Sequence, residues 1–194
     1  MTNSNSPHDS LSLLSPDDQK QWLVEHIPHR IRAVLPGIPM TGVWAVNWGA
    51  AVQADPIAFR CMGNAIWEGR LASMRWLIIL VGISAMGSNW EPARPSIFDR
   101  DKDVFITRID GGQLRLFPLD DNAKILARVW AGCSKATAHP TNRTAHPKVD
   151  EPELAAALTL VVTHLQDTIY AKVGKSLIDF VLTMKSAQQL LAEW

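Results

Sequence analysis

Apolar positions recur at helical spacing along most of this chain, and proline, glycine and aspartate mark the breaks between the runs. Ser15-Pro16-Asp17-Asp18 has the form of a helix start, with serine as N-cap, proline at the first helical position and acids in the first turn. The helix carries Trp22, Leu23 and His26 to Pro28, which should kink or restart it, and a second piece from His29 ends at Pro36-Gly37. Trp44 and Trp48 lie four apart in a mixed segment where Gly42, Gly49 and β-branched neighbours leave helix and irregular structure both open. Asp55-Pro56 begins the longest element, which runs to about Gly82, with Trp67, Leu71, Met74, Ile78 and Val81 alternating by four and three as its core seam.

Residues 84–96, with Gly87, Pro92 and Pro95, read as loop. Asp120 and Asp121 cap the next helix, whose buried line is Leu126, Val129, Trp130 and Cys133. Asp150-Glu151-Pro152-Glu153 opens another, with Leu154, Leu158, Val161, Leu165 and Ile169 on one face and Gly174 at its end. A last helix over residues 175–194 places Leu177, Val181, Met184 and Leu191 at core spacing. One stretch departs from the helical period: Val104-Phe105-Ile106-Thr107-Arg108-Ile109 and Gln113-Leu114-Arg115-Leu116-Phe117 flank Asp110-Gly111-Gly112, a hairpin pattern. The pattern predicts a mainly α fold, an antiparallel helical bundle with a β-hairpin insertion around residues 104–117. Residues 1–14 form a Ser- and Asn-rich tail and residues 15–194 a single domain.

Composition narrows this little. The chain has 194 residues, enough for one substantial core, and Lys+Arg equals Asp+Glu, so no overall basic footprint marks a duplex-DNA binder. The start lacks a basic region followed by an apolar core, and the apolar run over residues 76–83 is far short of the ~20 residues of a membrane span. A cytoplasmic protein with no membrane partner is expected. Cys61 and Cys133 fall in apolar helical patterns and read as buried thiols. No cofactor is implied and no metal site is complete: His26 and His29 are three apart around Pro28, with no Cys or carboxylate in the same short motif.

Candidate chemistry gathers in two places. Arg60, Asn64, Glu68 and Arg75 make a polar stripe on the long helix, either a solvated face or the border of a polar cleft. After the Asp120 helix, Cys133-Ser134-Lys135-Ala136-Thr137-Ala138-His139-Pro140-Thr141 leads to Arg143 and His146 before the next helix. Histidine suits proton transfer near neutral pH and arginine clamps a phosphate through two donors, so Lys135, His139, Arg143 and His146 form a candidate anion site. Trp67, Trp76 and Trp130 sit at core spacing; Trp44, Trp48 and Trp90 are candidates for a pocket or partner surface.

A helix that ends in a polar residue, a short gap and a histidine resembles the HEPN-like helical domains of prokaryotic defence and toxin systems. The resemblance covers about residues 56–170, and its specific part is the stretch from Cys133 to Thr141. It implies a homodimer with that element facing its twin, an RNA or protein partner, and, in active members, an Arg and a His separated by four to six residues that cleave RNA without metal. Here no Arg precedes His139 at that distance, Lys135 is one residue too close, and Arg143 precedes His146 by only three. A non-catalytic, associating protein is therefore expected. The alternatives are a metal-independent endoribonuclease in which His139, Arg143 and His146 are rearranged, with Lys135, Arg60, Glu68 and Arg75 binding the ligand, or an adaptor bundle with no such site.

Overall fold

Ser15 caps the first helix of the computed structural model, which describes residues 14–35, 56–95, 109, 116–138, 147–183 and 185–193. Its hydroxyl accepts from the Asp18 amide at 3.1 Å, and α1 (Pro16–Gln21) carries its acids in the first turn, as the sequence predicts. The α-helix restarts at Pro28, as expected, with the proline in the first turn of the new piece. A π-helical turn, Trp22–His26, takes the chain from α1 into α2 (Ile27–Val34) with helical backbone angles throughout. The wider turn relieves the clash a proline ring makes with a carbonyl in an α-helix.

The π turn has a consequence for hydrogen bonding. The Ile27 amide donates to the Trp22 carbonyl, one residue further back than in an α-helix. By the same spacing the Leu23 carbonyl would accept from residue 28, and residue 28 is a proline. Tyr170, the chain's single tyrosine, supplies the missing donor: its buried hydroxyl donates to the Leu23 carbonyl at 2.6 Å. Burial holds that hydroxyl's pKa well above its ordinary value, so it stays a donor. Tyr170 closes a second π turn, Gln166–Tyr170, and its ring leans on Phe180.

The long helix α3 (Pro56–Leu80) ends in a left-handed glycine cap. Gly82, at φ 79°, donates to the Ile79 carbonyl at 2.8 Å, and the Ile83 amide reaches back to Ile78 at 3.1 Å, the paired bonds of a Schellman ending. A Cβ on Gly82 would also collide with the Leu116 side chain. Beyond it, β1 (Ser84–Met86) and β2 (Glu91–Ala93) pair antiparallel with Ala85 opposite Pro92. This corrects the loop expected over residues 84–96: three-residue strands are too short to show alternation, and Pro92 argues against a strand on sequence grounds. Arg94 ties the hairpin down, donating at 2.9 Å to both the Gly82 and Phe117 carbonyls. Most of the hairpin expected around residues 104–117 lies outside the described residues; Ile109 is helical and buried, and the Phe117 amide donates to Val81 at 2.9 Å.

Asp120 caps α4 (Asp121–Ala138), its carboxylate accepting from the Asn122 and Ala123 amides. Because Phe117, at the approach to α4, meets Val81 at the end of α3, the two helices run antiparallel. Leu126, Val129 and Cys133 are fully buried against α3. Asp150 and Glu153 form a reciprocal capping box at the start of α5 (Glu151–Leu165). Leu154, Leu158, Val161, Leu165 and Ile169 are buried in the predicted line. The continuous helical stretch Glu151–Val173 is long and apolar enough by composition to cross a membrane, and it lays that apolar line into the core. Each such side chain contributes about 1.5–3 kcal/mol on burial. Gly174, at φ 67°, ends it.

The single helix expected over residues 175–194 is two: α6 (Leu177–Leu182) and α7 (Ala187–Glu193). Ser186 and Gln189 cap α7 reciprocally, the Ser186 amide to the Gln189 side chain at 2.8 Å and the Gln189 amide to the Ser186 hydroxyl at 3.3 Å. Leu177 and Val181 are buried as expected; in α7 it is Leu190, more than Leu191, that faces inward. Met184 lies outside the described residues.

Candidate functional site

Helix α3 changes character along its length. From Leu71 to Leu80 it is a core helix, with Met74, Leu77 and Ile78 wholly buried. Toward its start, every described side chain from residue 57 to 69 is exposed except half-buried Trp67. Ile57 is 77 % and Ile66 49 % exposed, large apolar groups in water. Cys61 is exposed too, which corrects the expectation that both cysteines are buried: the apolar pattern continues past the point where α2 and α4 cover the helix. Ile57, Cys61, Asn64 and Glu68 follow one another by four, three and four residues, so they share one face.

Two arginines stand where the exposed half becomes the buried half. Arg70 is fully engaged. Its Nε donates to the Val34 carbonyl at the end of α2 at 2.8 Å, and its two terminal nitrogens grip the Glu151 carboxylate at the start of α5, Nη2 to Oε2 at 2.7 Å and Nη1 to Oε1. Its guanidinium lies over the Trp67 ring, 5.0 Å from the centroid. The Arg70 cation holds the Glu151 carboxyl below its ordinary pKa. Nothing in the sequence pattern signalled this residue beyond its cationic type.

Arg75, five residues on, is half-buried against α4, 5.8 Å from the Trp130 ring centroid. Its Nε is buried and has no hydrogen-bond partner, and no carboxylate among the described residues pairs with it. Trp130 Nε1 and Ser134 Oγ, one helical turn apart on α4, are likewise buried and unpartnered. Burying a donor without a partner costs about 1–3 kcal/mol, and native proteins hold few such groups. Cys133 lies beside them; burial pushes its thiol up to about 12 against the opposing pull of the Arg75 cation. Gly132 fixes what lies on the other side of α4. A Cβ there would strike Val149 and come within 2.8 Å of the Pro147 carbonyl, so the chain entering α5 crosses α4 at this glycine.

Of the residues chosen from sequence, the structure brings Arg75 to α4 and leaves Glu68 exposed on the uncovered half of α3. Arg60 and Lys135 occupy positions within α3 and α4, and their side chains lie outside what is described. His139, Arg143 and His146, like Trp44 and Trp48, lie outside the described residues. His26 rests edge-on against Trp22 at 5.2 Å, Trp22 stacks on Trp76 at 5.2 Å, and Arg30 lies 5.5 Å from the Trp76 centroid. His29 is exposed, and no group of three or more His, Cys, Asp or Glu placed to hold a metal occurs among the described residues. Trp67, Trp76 and Trp130 all pack half-buried against the core, as their spacing predicts. Trp90 sits in the β1–β2 turn at φ 54°, a conformation that favours glycine. A cleft of about 320 Å³ opens between α6 and α7, where Lys185 and Glu193 pair at 2.6 Å.

No protein-family model matches the chain, and no curated protein or solved structure is significantly similar to it.

Proposed function

We propose that the chain is an association protein: a HEPN-like helical bundle that works without catalysis, as a homodimer paired through the first half of α3. One observation carries the reading. From residue 57 to 69 every described side chain but half-buried Trp67 is exposed, and Ile57, Cys61, Asn64 and Glu68 follow one another at the spacing of a coiled-coil seam. The described residues leave most of this arm uncovered, and marginal isolated helices gain most of their stability from packing.

The charges choose the partner and its direction. Position 60 is an arginine and position 68 a glutamate, on either side of Asn64. Two copies in parallel would set like charges together. Two copies antiparallel bring residue 60 of each toward residue 68 of the other, the self-complementary arrangement of a two-fold interface. Asn64, near the middle, is the type of polar seam residue that fixes register.

Sedimentation equilibrium tests this. Wild-type protein is expected to dimerise. Glu68→Lys should weaken the dimer about tenfold, since two exposed ion pairs at about 0.7 kcal/mol each become repulsive or are lost. The double exchange Arg60→Glu with Glu68→Lys should restore it. A monomer at every concentration, or a dimer indifferent to Glu68→Lys, overturns the proposal.

A further inference from the structure

The cleft of about 320 Å³ between α6 and α7 involves neither α3 nor its pairing. Its α6 wall is made of Ser176, Asp179, Phe180 and Thr183, spaced so that they lie along one side of that helix and its cap. Leu190 and Glu193 come from α7, and Lys185 from the link between the two helices. Phe180 and Leu190 are each 8 % exposed and give the cleft an apolar base, while Asp179, Lys185 and Glu193 are exposed at its rim.

An unmade pair of bonds accompanies the cavity. Ser176 and Asp179 have the spacing of a capping box, like Asp150 with Glu153 and Ser186 with Gln189. Those two boxes are closed. Here the serine hydroxyl makes no capping bond, and the Asp179 carboxylate has no hydrogen-bond or ion-pair partner among the described residues. Both side chains line the cleft instead. Lys185 and Glu193 neutralise each other at 2.6 Å, so Asp179 is left with its acceptors unused.

We infer that the cleft binds a small zwitterion with an apolar tail, of the class of a free aliphatic α-amino acid. The ligand's ammonium donates to the Asp179 carboxylate and the Ser176 hydroxyl. Its carboxylate accepts from Lys185, whose ammonium has three donors and gives two to Glu193. Its side chain lies on Phe180 and Leu190. Charge selects this class over simpler ones. Lys175 and Lys185 face Asp179 and Glu193 around the cleft, so its lining is neutral as a whole, and a net-neutral ligand keeps that balance. A plain cation would meet two lysines and a plain anion two acids. The volume lies at the small end of ligand pockets, which suits a molecule of amino-acid size.

L-Leucine titrated into the nitrogen-15-labelled full chain is the test. The backbone amide signals of Asp179 and Thr183 are expected to move saturably, with a dissociation constant on the order of 1 mM for so small a ligand. N-acetylleucine lacks the ammonium and leucinamide the carboxylate, and each should bind at least about tenfold more weakly. Glycine, which lacks the tail, should also bind more weakly than leucine. Asp179→Asn alters an exposed side chain and is expected to weaken leucine about tenfold. Ser176→Ala removes a hydroxyl that makes no capping bond, so the fold should tolerate it and leucine binding should weaken in the same direction. Amide signals indifferent to leucine, either single-charge analogue bound as tightly as leucine, or an affinity unchanged by Asp179→Asn would overturn the inference.

Discussion

Arg70 and Arg75 sit five residues apart on one helix, each over the face of a tryptophan, and they do opposite things. Arg70 joins three helices by answering the last carbonyl of α2 and the first acid of α5. Arg75 leaves its buried Nε unpartnered against Trp130, whose own Nε1 is unpartnered too. The contrast teaches how to separate a cation that ties helices together from one that does not. Both are cations on apolar surface, and only the count of satisfied donors tells them apart. A satisfied arginine has spent its directionality inside the fold, whereas an unsatisfied one retains it for something else.

Replacement by alanine should break the symmetry most visibly. Arg70→Ala is expected to destabilise the protein by about 3 kcal/mol in urea unfolding, the low end for breaking a buried pair because Glu151 is half-exposed and recovers hydration. Arg75→Ala should cost no more than about 1 kcal/mol, the scale of one cation–π contact. Equal losses would mean that Arg75 has a structural role after all. Acid should sharpen the same distinction. Glu151 has a folded pKa below its ordinary 4.5, so its contribution is present above that value and is lost as pH falls through the lowered one. Stability measured from pH 6 to 3 should fall more steeply in wild type than in Glu151→Gln, by less than about 1 kcal/mol across the window. An identical acid limb in both proteins would show that the carboxylate and Arg70 are not coupled in solution.

The helices and most of their caps were legible in the chain because their signals are local. Ser15-Pro16 and Asp150 with Glu153 do in the structure what their spacing says. The break between α6 and α7 has an equally local signal, Ser186 and Gln189 at the spacing of a capping box, but an apolar period runs through it and masks it. The hairpin at Ser84–Ala93 was obscured by its shortness and its proline. Among site residues, Arg75 stands out as part of a polar stripe, yet its surroundings depend on Trp130 of another helix. Arg70 and the exposure of Cys61 depend on which length of α3 its neighbours cover, and period alone carries no information about that. Tertiary coverage decides what a pattern of residues becomes.

The bond from Tyr170 to Leu23 sets a schedule for synthesis. Its ends are 147 residues apart, so a ribosome adding about 5–20 residues per second needs roughly 7–30 s between making the carbonyl and making the group that answers it. Throughout that interval the amino-terminal helices carry a proline-orphaned acceptor and an apolar face whose carboxy-terminal partners are still untranslated. Native docking of the beginning of this chain is therefore a late event, gated by the emergence of its end, and a nascent chain stopped before residue 170 should leave Leu23 and its neighbours open to chaperone and protease.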